Sequence, residues 1–231
     1  MPVAQSRVRI EKSAISNREG WNIADRFATI FRMTAPSCLS RHHRKTIRHF
    51  DLPGDAHFLT FSCFRRLPLL SKDRTRKWVV EALENARAKY RFQLWAWVIM
   101  PEHVHLLIFP TSEVSGHIAS ILADIKRPVA QRAIAFLVER KSMFLERLTV
   151  KNKHRIYRRF WQAGPGQDHN IYDPDTGYRV VEYIHNNPVR RGLVNRPEDW
   201  YGSSARDWLG ETNLRIRVDR TLPSVVEIAS N

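Results

Sequence analysis

Two histidines one residue apart stand at the head of an apolar run, in Met100-Pro101-Glu102-His103-Val104-His105-Leu106-Leu107-Ile108. Side chains alternate faces along a strand, so His103 and His105 share one face and Val104 turns to the other. Two imidazoles side by side on a rigid strand can hold a divalent metal and leave coordination positions open. Buried histidines bonded within the fold are the ordinary structural alternative, and the pair alone does not choose. No cysteine cluster competes for a metal, because the chain has only Cys38 and Cys63, without metal-type spacing.

The second chemical segment is Glu182-Tyr183-Ile184-His185-Asn186-Asn187-Pro188. A tyrosine has a specific use in phosphodiester chemistry. Its phenolate attacks phosphorus, expels a sugar oxygen and stores the bond energy in a phosphotyrosine. A free phenol has a pKa of about 10, so it needs a cation nearby to act at neutral pH. Asn187 follows Tyr183 by four residues, on the same face of a helix. Its amide oxygen would be a hard third ligand, better suited to Mg²⁺ or Mn²⁺ than to Zn²⁺. Each residue also has a plainer role. Tyr183 can pack with Val180, Val181 and Ile184, Asn187 can end a helix before Pro188, and His185 can lie on the surface. Tyr178 is the main rival among the other tyrosines (Tyr90, Tyr157, Tyr172, Tyr178 and Tyr201). Glu102 could orient a histidine from behind or simply form a turn.

These residues need elements to position them. Residues 57–64 alternate apolar and polar as a strand does. Ser71 is a candidate N-cap for a helix carrying Trp78, Val79, Ala82, Leu83, Ala86 and Tyr90 at helical spacing. Residues 92–100 and 103–109 read as two strands of a hairpin about Pro101-Glu102. A second helix spans about 114–140, with Ile118, Ile121, Leu122, Ile125, Val129 and Ala133 on one stripe, and Pro128 predicts a kink or break. A fourth strand is expected at 156–161. Gly164-Pro165-Gly166 and Asp173-Pro174-Asp175 read as loops, and a last helix as 178–186, stopped by Pro188. Ser203 and Ser204 are expected to cap a helix containing Trp208. The order strand, helix, strand, strand, helix, strand predicts an α+β fold. It is the ferredoxin-like split βαβ, an antiparallel sheet with helices packed on one face.

The net charge is +15 over 231 residues. A field of that sign favours polyanions, nucleic acid first and an anionic membrane second. One dense block is Arg41, Arg44, Lys45 and Arg48. Another is Arg147, Lys151, Lys153, Arg155, Arg158 and Arg159. Hydrophobic content of 43% supports a packed core. No apolar run approaches the roughly 20 residues of a membrane span, and no secretory leader is evident. Few cysteines fit a reducing cytoplasm. The division expected is a basic, poorly ordered extension over 1–42, a catalytic domain over 43–209 and a C-terminal tail over 210–231.

Several separated motifs together resemble the REP-associated tyrosine transposases, relatives of single-tyrosine insertion-sequence transposases in the HUH (His-hydrophobic-His) superfamily. They are Met100-Pro101-Glu102-His103-Val104-His105, Phe160-Trp161, Tyr183-Ile184-His185-Asn186-Asn187-Pro188-Val189-Arg190-Arg191-Gly192-Leu193-Val194, and Trp200 with Ser203-Ser204. The similarity covers about residues 43–209. It implies a HUH endonuclease fold in which His103 and His105 bind Mg²⁺ or Mn²⁺, Asn187 completes the site and Tyr183 is the nucleophile. It implies metal-dependent cutting and rejoining of single-stranded DNA beside a hairpin or palindromic repeat. The expected intermediate is a 5′-phosphotyrosine with a free 3′-OH. It also implies a cytoplasmic bacterial protein at the nucleoid; monomer and homodimer fit equally. The chain departs from the pattern in its first 40 or so residues and in a long 147–177 region.

Within this expectation Lys126, Arg127, Arg158, Arg159, Arg190 and Arg191 are the candidate DNA contacts, holding phosphates without reading sequence. Trp161 and Trp200 could stack on bases, although core packing is the commoner fate of tryptophan. Two other functions compete. One is a non-catalytic protein that binds or regulates hairpin DNA on the same fold. The other is an RNA-binding module of ferredoxin-like fold, which requires exposed aromatics such as Trp95 or Trp97 on the central strands.

Overall fold

The computed structural model describes residues 55–111, 118–212, 214 and 216–223. The extension expected over 1–42 lies outside the described residues. Strand β1 (Ala56–Ser62) is followed by helix α1 (Asp73–Tyr90) and the hairpin β2 (Gln93–Ile99) and β3 (His103–Phe109). Helix α2 (Ile118–Glu139) comes next, then a short α3 (Phe144–Leu148) and a two-stranded ribbon, β4 (Thr149–Lys151) and β5 (Ile156–Arg158). Strand β6 (Gln167–Ile171) leads into helix α4 (Pro174–Arg190), and a short α5 (Ala205–Trp208) follows. The main sheet has the order β2-β3-β1-β6, with antiparallel pairing at every step. This is the ferredoxin-like arrangement the sequence predicts.

The strand that completes the sheet is 167–171, not 156–161. Residues 156–158 pair only with 149–151, in a separate ribbon. Gln167-Asp168-His169-Asn170-Ile171 has no apolar alternation, which hides it from pattern reading. It holds the sheet edge through backbone pairing, and through Asp168, whose carboxylate lies 2.9 Å from buried His57.

Leu59 and Phe61 of β1, with Val104, Leu106 and Ile108 of β3, face α1 and α2 in one buried cluster. Strand alternation turns Phe58, Thr60, His103 and His105 to the opposite face. There α4 packs, bringing Tyr183 against Phe58 with ring centroids 5.9 Å apart. The two helices of the split βαβ core therefore share a face as expected, and the third long helix covers the other. Trp95 sits in a bulge of β2, which lets Leu94 and Trp97 both reach the α1–α2 core.

Several boundaries differ from the sequence reading. Ser71 does not cap α1; its hydroxyl donates to Pro68 O, and Lys72 occupies the N-cap position without a side-chain bond. Pro128 does not break α2, because Ile125 and Val129 on either side of it are fully buried in the core. Asp173-Pro174-Asp175 is not a loop but the start of α4. The Asp173 carboxylate accepts from Thr176 N, and Pro174 sits where its missing N–H costs nothing. Pro188 does not stop the helix either. The helix ends two residues later, at Arg190, beyond which Gly192 at φ 65 donates to Val189 O and Leu193 donates to Pro188 O. Residues 216–222, placed by the sequence in the C-terminal tail, pack on the edge of β2: Asp219 N donates to Leu94 O, and Ile216, Val218 and Leu222 are buried. Among the described residues no helix is long and apolar enough to cross a membrane.

Gly166 marks one close approach. Its φ is 106°, and a Cβ there would lie 2.2 Å from Thr60 O. Gly166→Ala is therefore expected to destabilise the protein by more than about 2 kcal/mol, read from the urea midpoint. Gly164→Ala, at φ 92 with nothing in reach of a Cβ, is expected to cost clearly less; equal costs would contradict the clash.

Candidate active site

The register of β1 on β3 sets Ser62 opposite His103 and Thr60 opposite His105. Both histidines are buried, at 7% and 3% exposure. Their Nε2 atoms lie 3.0 Å apart. Their Nδ1 atoms point elsewhere: that of His105 lies 2.7 Å from Thr60 Oγ1, and that of His103 lies 3.3 Å from Glu102 Oε1. A carboxylate only accepts, so His103 carries its proton on Nδ1 and leaves the Nε2 lone pair bare. The Thr60 hydroxyl can accept in the same way from His105. Burial pushes both imidazole pKa values down, His105 furthest, where His103 and Arg190 add to it; at His103 the Glu102 carboxylate opposes burial in part. The pair is thus neutral at pH 7, and with the His105 proton on Nδ1 two nitrogen lone pairs converge on one point.

The third group at this point comes from α4. The Asn187 amide lies 3.2 Å from His105 Nε2 and is 7% exposed. A half-turn of that amide would present oxygen instead of nitrogen. Two bare imidazole nitrogens and one amide form a donor set that fits a divalent cation. Among the described residues no third His, Cys, Asp or Glu joins the pair as a ligand cluster. Asn187 is therefore the candidate third ligand.

Tyr183 lies one turn before Asn187 on α4, half-buried. Its ring stands edge-on to His105 with centroids 5.6 Å apart. The Arg190 guanidinium lies 5.0 Å above the same ring. The rival Tyr178 is directed away: its hydroxyl donates to Leu222 O, and its ring packs on Trp208. The sequence thus brings His103, His105, Asn187, Tyr183 and Arg190 to one place.

No family model matches the chain. It is 26% identical over 155 residues to a REP-associated tyrosine transposase of Escherichia coli, covering 66% of this chain and 78% of that protein. A Haemophilus influenzae relative carrying the same family name is 26% identical over 171 residues, covering 65% and 90%. A solved structure of a REP-associated tyrosine transposase bound to a REP hairpin superposes with a TM-score of 0.52 at 23% identity. The match covers 80% of this chain and 96% of that one, and it shows the fold. The chain is similar to the REP-associated tyrosine transposases.

The other candidate residues divide. Arg191 is not a free phosphate contact: its Nη1 donates to Glu102 Oε1 at 2.7 Å. The end of the tyrosine helix is thereby tied to the carboxylate that holds His103. Lys126 belongs to α2 on the opposite sheet face, where its ammonium donates to Gly164 O; burial pushes its pKa down to about 8. Arg127 is exposed on the same helix. In the ribbon Arg158 is exposed, whereas Arg159 donates to the Tyr157 hydroxyl. Trp161 is buried with its indole donating to Lys126 O, and Trp200 donates to Ile99 O. Trp95 and Trp97 are both 5% exposed, which removes the stacking platform an RNA-binding reading requires.

Sequence reasoning missed Thr60, which has no motif and is found only through the strand register. It missed Arg66, which lies in left-handed backbone at φ 52 beside Arg65 at φ 54 and adds positive potential at His103. It offered only the surface as a plain place for His185. His185 is 8% exposed, and its Nε2 lies 2.8 Å from Ser204 Oγ. Ser204 does not cap α5 through its hydroxyl, which accepts from Trp97 N instead; Ser203 Oγ accepts from Ala205 N.

Burial lowers the His185 pKa to about 4. The unfolded chain, with its histidine near 6.5, binds the proton first, so stability falls as pH drops from about 6.5 towards 4. Between pH 7 and pH 5 His185 is expected to account for on the order of 2 kcal/mol of this loss. His185→Gln should flatten the pH dependence of the urea midpoint measured in EDTA. An unchanged dependence would contradict the buried neutral histidine.

Proposed function

We propose that this chain nicks single-stranded DNA and transfers the cut strand through a covalent bond to Tyr183, next to a DNA hairpin or palindromic repeat. The observation that carries the reading is the position of the Tyr183 ring against His105, on the helix that also supplies Asn187. In the proposed step the Tyr183 phenolate oxygen attacks phosphorus, and a P–Oη bond forms as the P–O3′ bond breaks. The phenol proton leaves to solvent, the departing 3′ oxygen takes up a proton, and the 5′ side stays on the enzyme as phosphotyrosine. A free 3′-OH then attacks the phosphotyrosine in the reverse sense, so one tyrosine suffices for cutting and rejoining.

His103, His105 and Asn187 would hold Mg²⁺ or Mn²⁺. When bound, the ion would polarise a non-bridging oxygen of the scissile phosphate and neutralise charge that builds there. The chain's own residues do the rest. Thr60 and Glu102 fix the tilt of the two imidazoles from behind. Arg191 anchors Glu102 and so couples the tyrosine helix to the histidine strand. Arg190 supplies a cation beside the phenol ring for the phosphate.

The partner expected is single-stranded DNA carrying a hairpin. Support comes from the net charge of +15 and from the REP hairpin held by the structural neighbour. The test is incubation with hairpin-bearing single strands and Mn²⁺, followed by denaturing electrophoresis. A covalent protein–DNA band is expected for the native chain and for Tyr178→Phe, and none for Tyr183→Phe. A band that persists in Tyr183→Phe would overturn the assignment. Binding without any band from the native chain would favour a non-catalytic hairpin-binding protein.

A further inference from the structure

The β4–β5 ribbon takes no part in the main sheet, yet it is built to hold one shape. Asn152 N donates to Arg155 O across its tip, and the Asn152 side chain accepts from His154 N and Arg155 N. At its root Arg159 N donates to Leu148 O. On the inner face the Tyr157 ring lies under both Arg155 and Arg159, at 4.8 and 5.2 Å, and its hydroxyl accepts from Arg159. Arg159 also reaches the ring of buried Phe64 at 5.8 Å.

The outer face differs in kind. Cross-strand partners share a face, so the pairs Lys151–Ile156 and Thr149–Arg158 project together, away from Val150 and Tyr157. Lys151, Ile156 and Arg158 are all exposed, Ile156 at 70%. Residues 149–159 contain five Lys or Arg and no Asp or Glu. An isoleucine held out on a rigid face between two cations contributes nothing to the core. It suits a surface with charged walls and an apolar group on the floor between them, as the phosphates and the thymine methyl of a major groove provide.

We propose that this ribbon docks in the major groove of a duplex DNA stem, with Lys151 and Arg158 on the flanking phosphates and Ile156 against base edges. The inference rests on the hairpin-DNA reading and assigns the stem of that hairpin to a definite element. A two-stranded ribbon fits the roughly 12 Å width of that groove. Charge complementarity commits the face to a polyanion, and the apolar residue distinguishes a groove from bare phosphate. Placement agrees. The ribbon is rooted where Phe64 N donates to Phe160 O and Cys63 bridges Trp161, just beyond Ser62, the residue paired with His103. A stem held there would enter beside the proposed cleavage site.

The experiment compares the native chain with a Lys151→Ala/Ile156→Ser/Arg158→Ala variant. Affinity is measured for a DNA hairpin whose stem carries both A·T and G·C pairs, with a single-stranded flank, for the flank alone, and for an RNA hairpin of the same sequence with uracil for thymine. Covalent adduct formation on the flank is followed in parallel. The variant is expected to lose at least tenfold in affinity for the DNA hairpin and none for the flank. Its log K against log salt slope should fall by about 2. Protection of stem guanine N7 atoms from methylation should vanish, and adduct formation on the flank should persist.

An unchanged hairpin-to-flank affinity ratio would overturn the ribbon's role while leaving the proposed catalysis intact. Missing N7 protection in the native chain, or a loss confined to the RNA hairpin, would also overturn it. Loss of hairpin affinity in a protein that forms no adduct would support the ribbon and sink the catalytic reading instead.

Discussion

The site depends on the antiparallel register that sets Thr60 opposite His105 and Ser62 opposite His103. A slip of one residue would turn both imidazoles into the α1–α2 core, where Val104 and Leu106 now lie. Register is held from the apolar face by Leu59, Phe61, Val104 and Leu106, all 1% exposed or less. The packing that stabilises the fold and the geometry that aims the histidines are therefore one constraint seen from two faces of a sheet. Burial then keeps both rings neutral, which leaves their lone pairs available to a cation.

Helix α4 is the second half of the arrangement. Its N-terminus is fixed by Asp173 and Pro174, its middle by Val180, Val181 and Ile184, and its end by the Gly192 turn. Between these anchors it carries Tyr183 and Asn187 over the histidine strand. The Arg191–Glu102 ion pair closes the loop from helix end to metal-ligand candidate, with the carboxylate 9% exposed and its partner half in solvent. Buried polar groups of this kind must be paired to be tolerated. Here each has a partner, and the pairs run from Thr60 through His105 and His103 to Glu102 and Arg191.

Much of this was legible in the sequence. The chemistry-bearing residues stood out because their types are rare in such spacing, and period-two alternation put His103 and His105 on one face. The strands and helices with strong apolar periods, 56–62, 73–90, 93–99, 103–109 and 118–139, are where the pattern placed them to within a few residues. What escaped reading was set by tertiary context. Strand 167–171 is polar and is recruited by backbone pairing with β1. Pro128 and Pro188 lie within helices because buried neighbours outweigh the lost backbone bond. His185 follows Val181 by one helical turn and so shares the buried stripe of α4; only its polar type suggested the surface, and its partner Ser204 lies nineteen residues on. The Arg191–Glu102 bond is invisible in sequence because its partners lie 89 residues apart.

The most direct test is a crystal of the protein soaked in Mn²⁺, with anomalous scattering measured at the manganese edge. The account predicts one strong peak about 2.2 Å from the Nε2 atoms of both His103 and His105, with the Asn187 amide turned to offer its oxygen. A protein that crystallises with this fold but shows no peak there, or binds manganese only elsewhere, would contradict it.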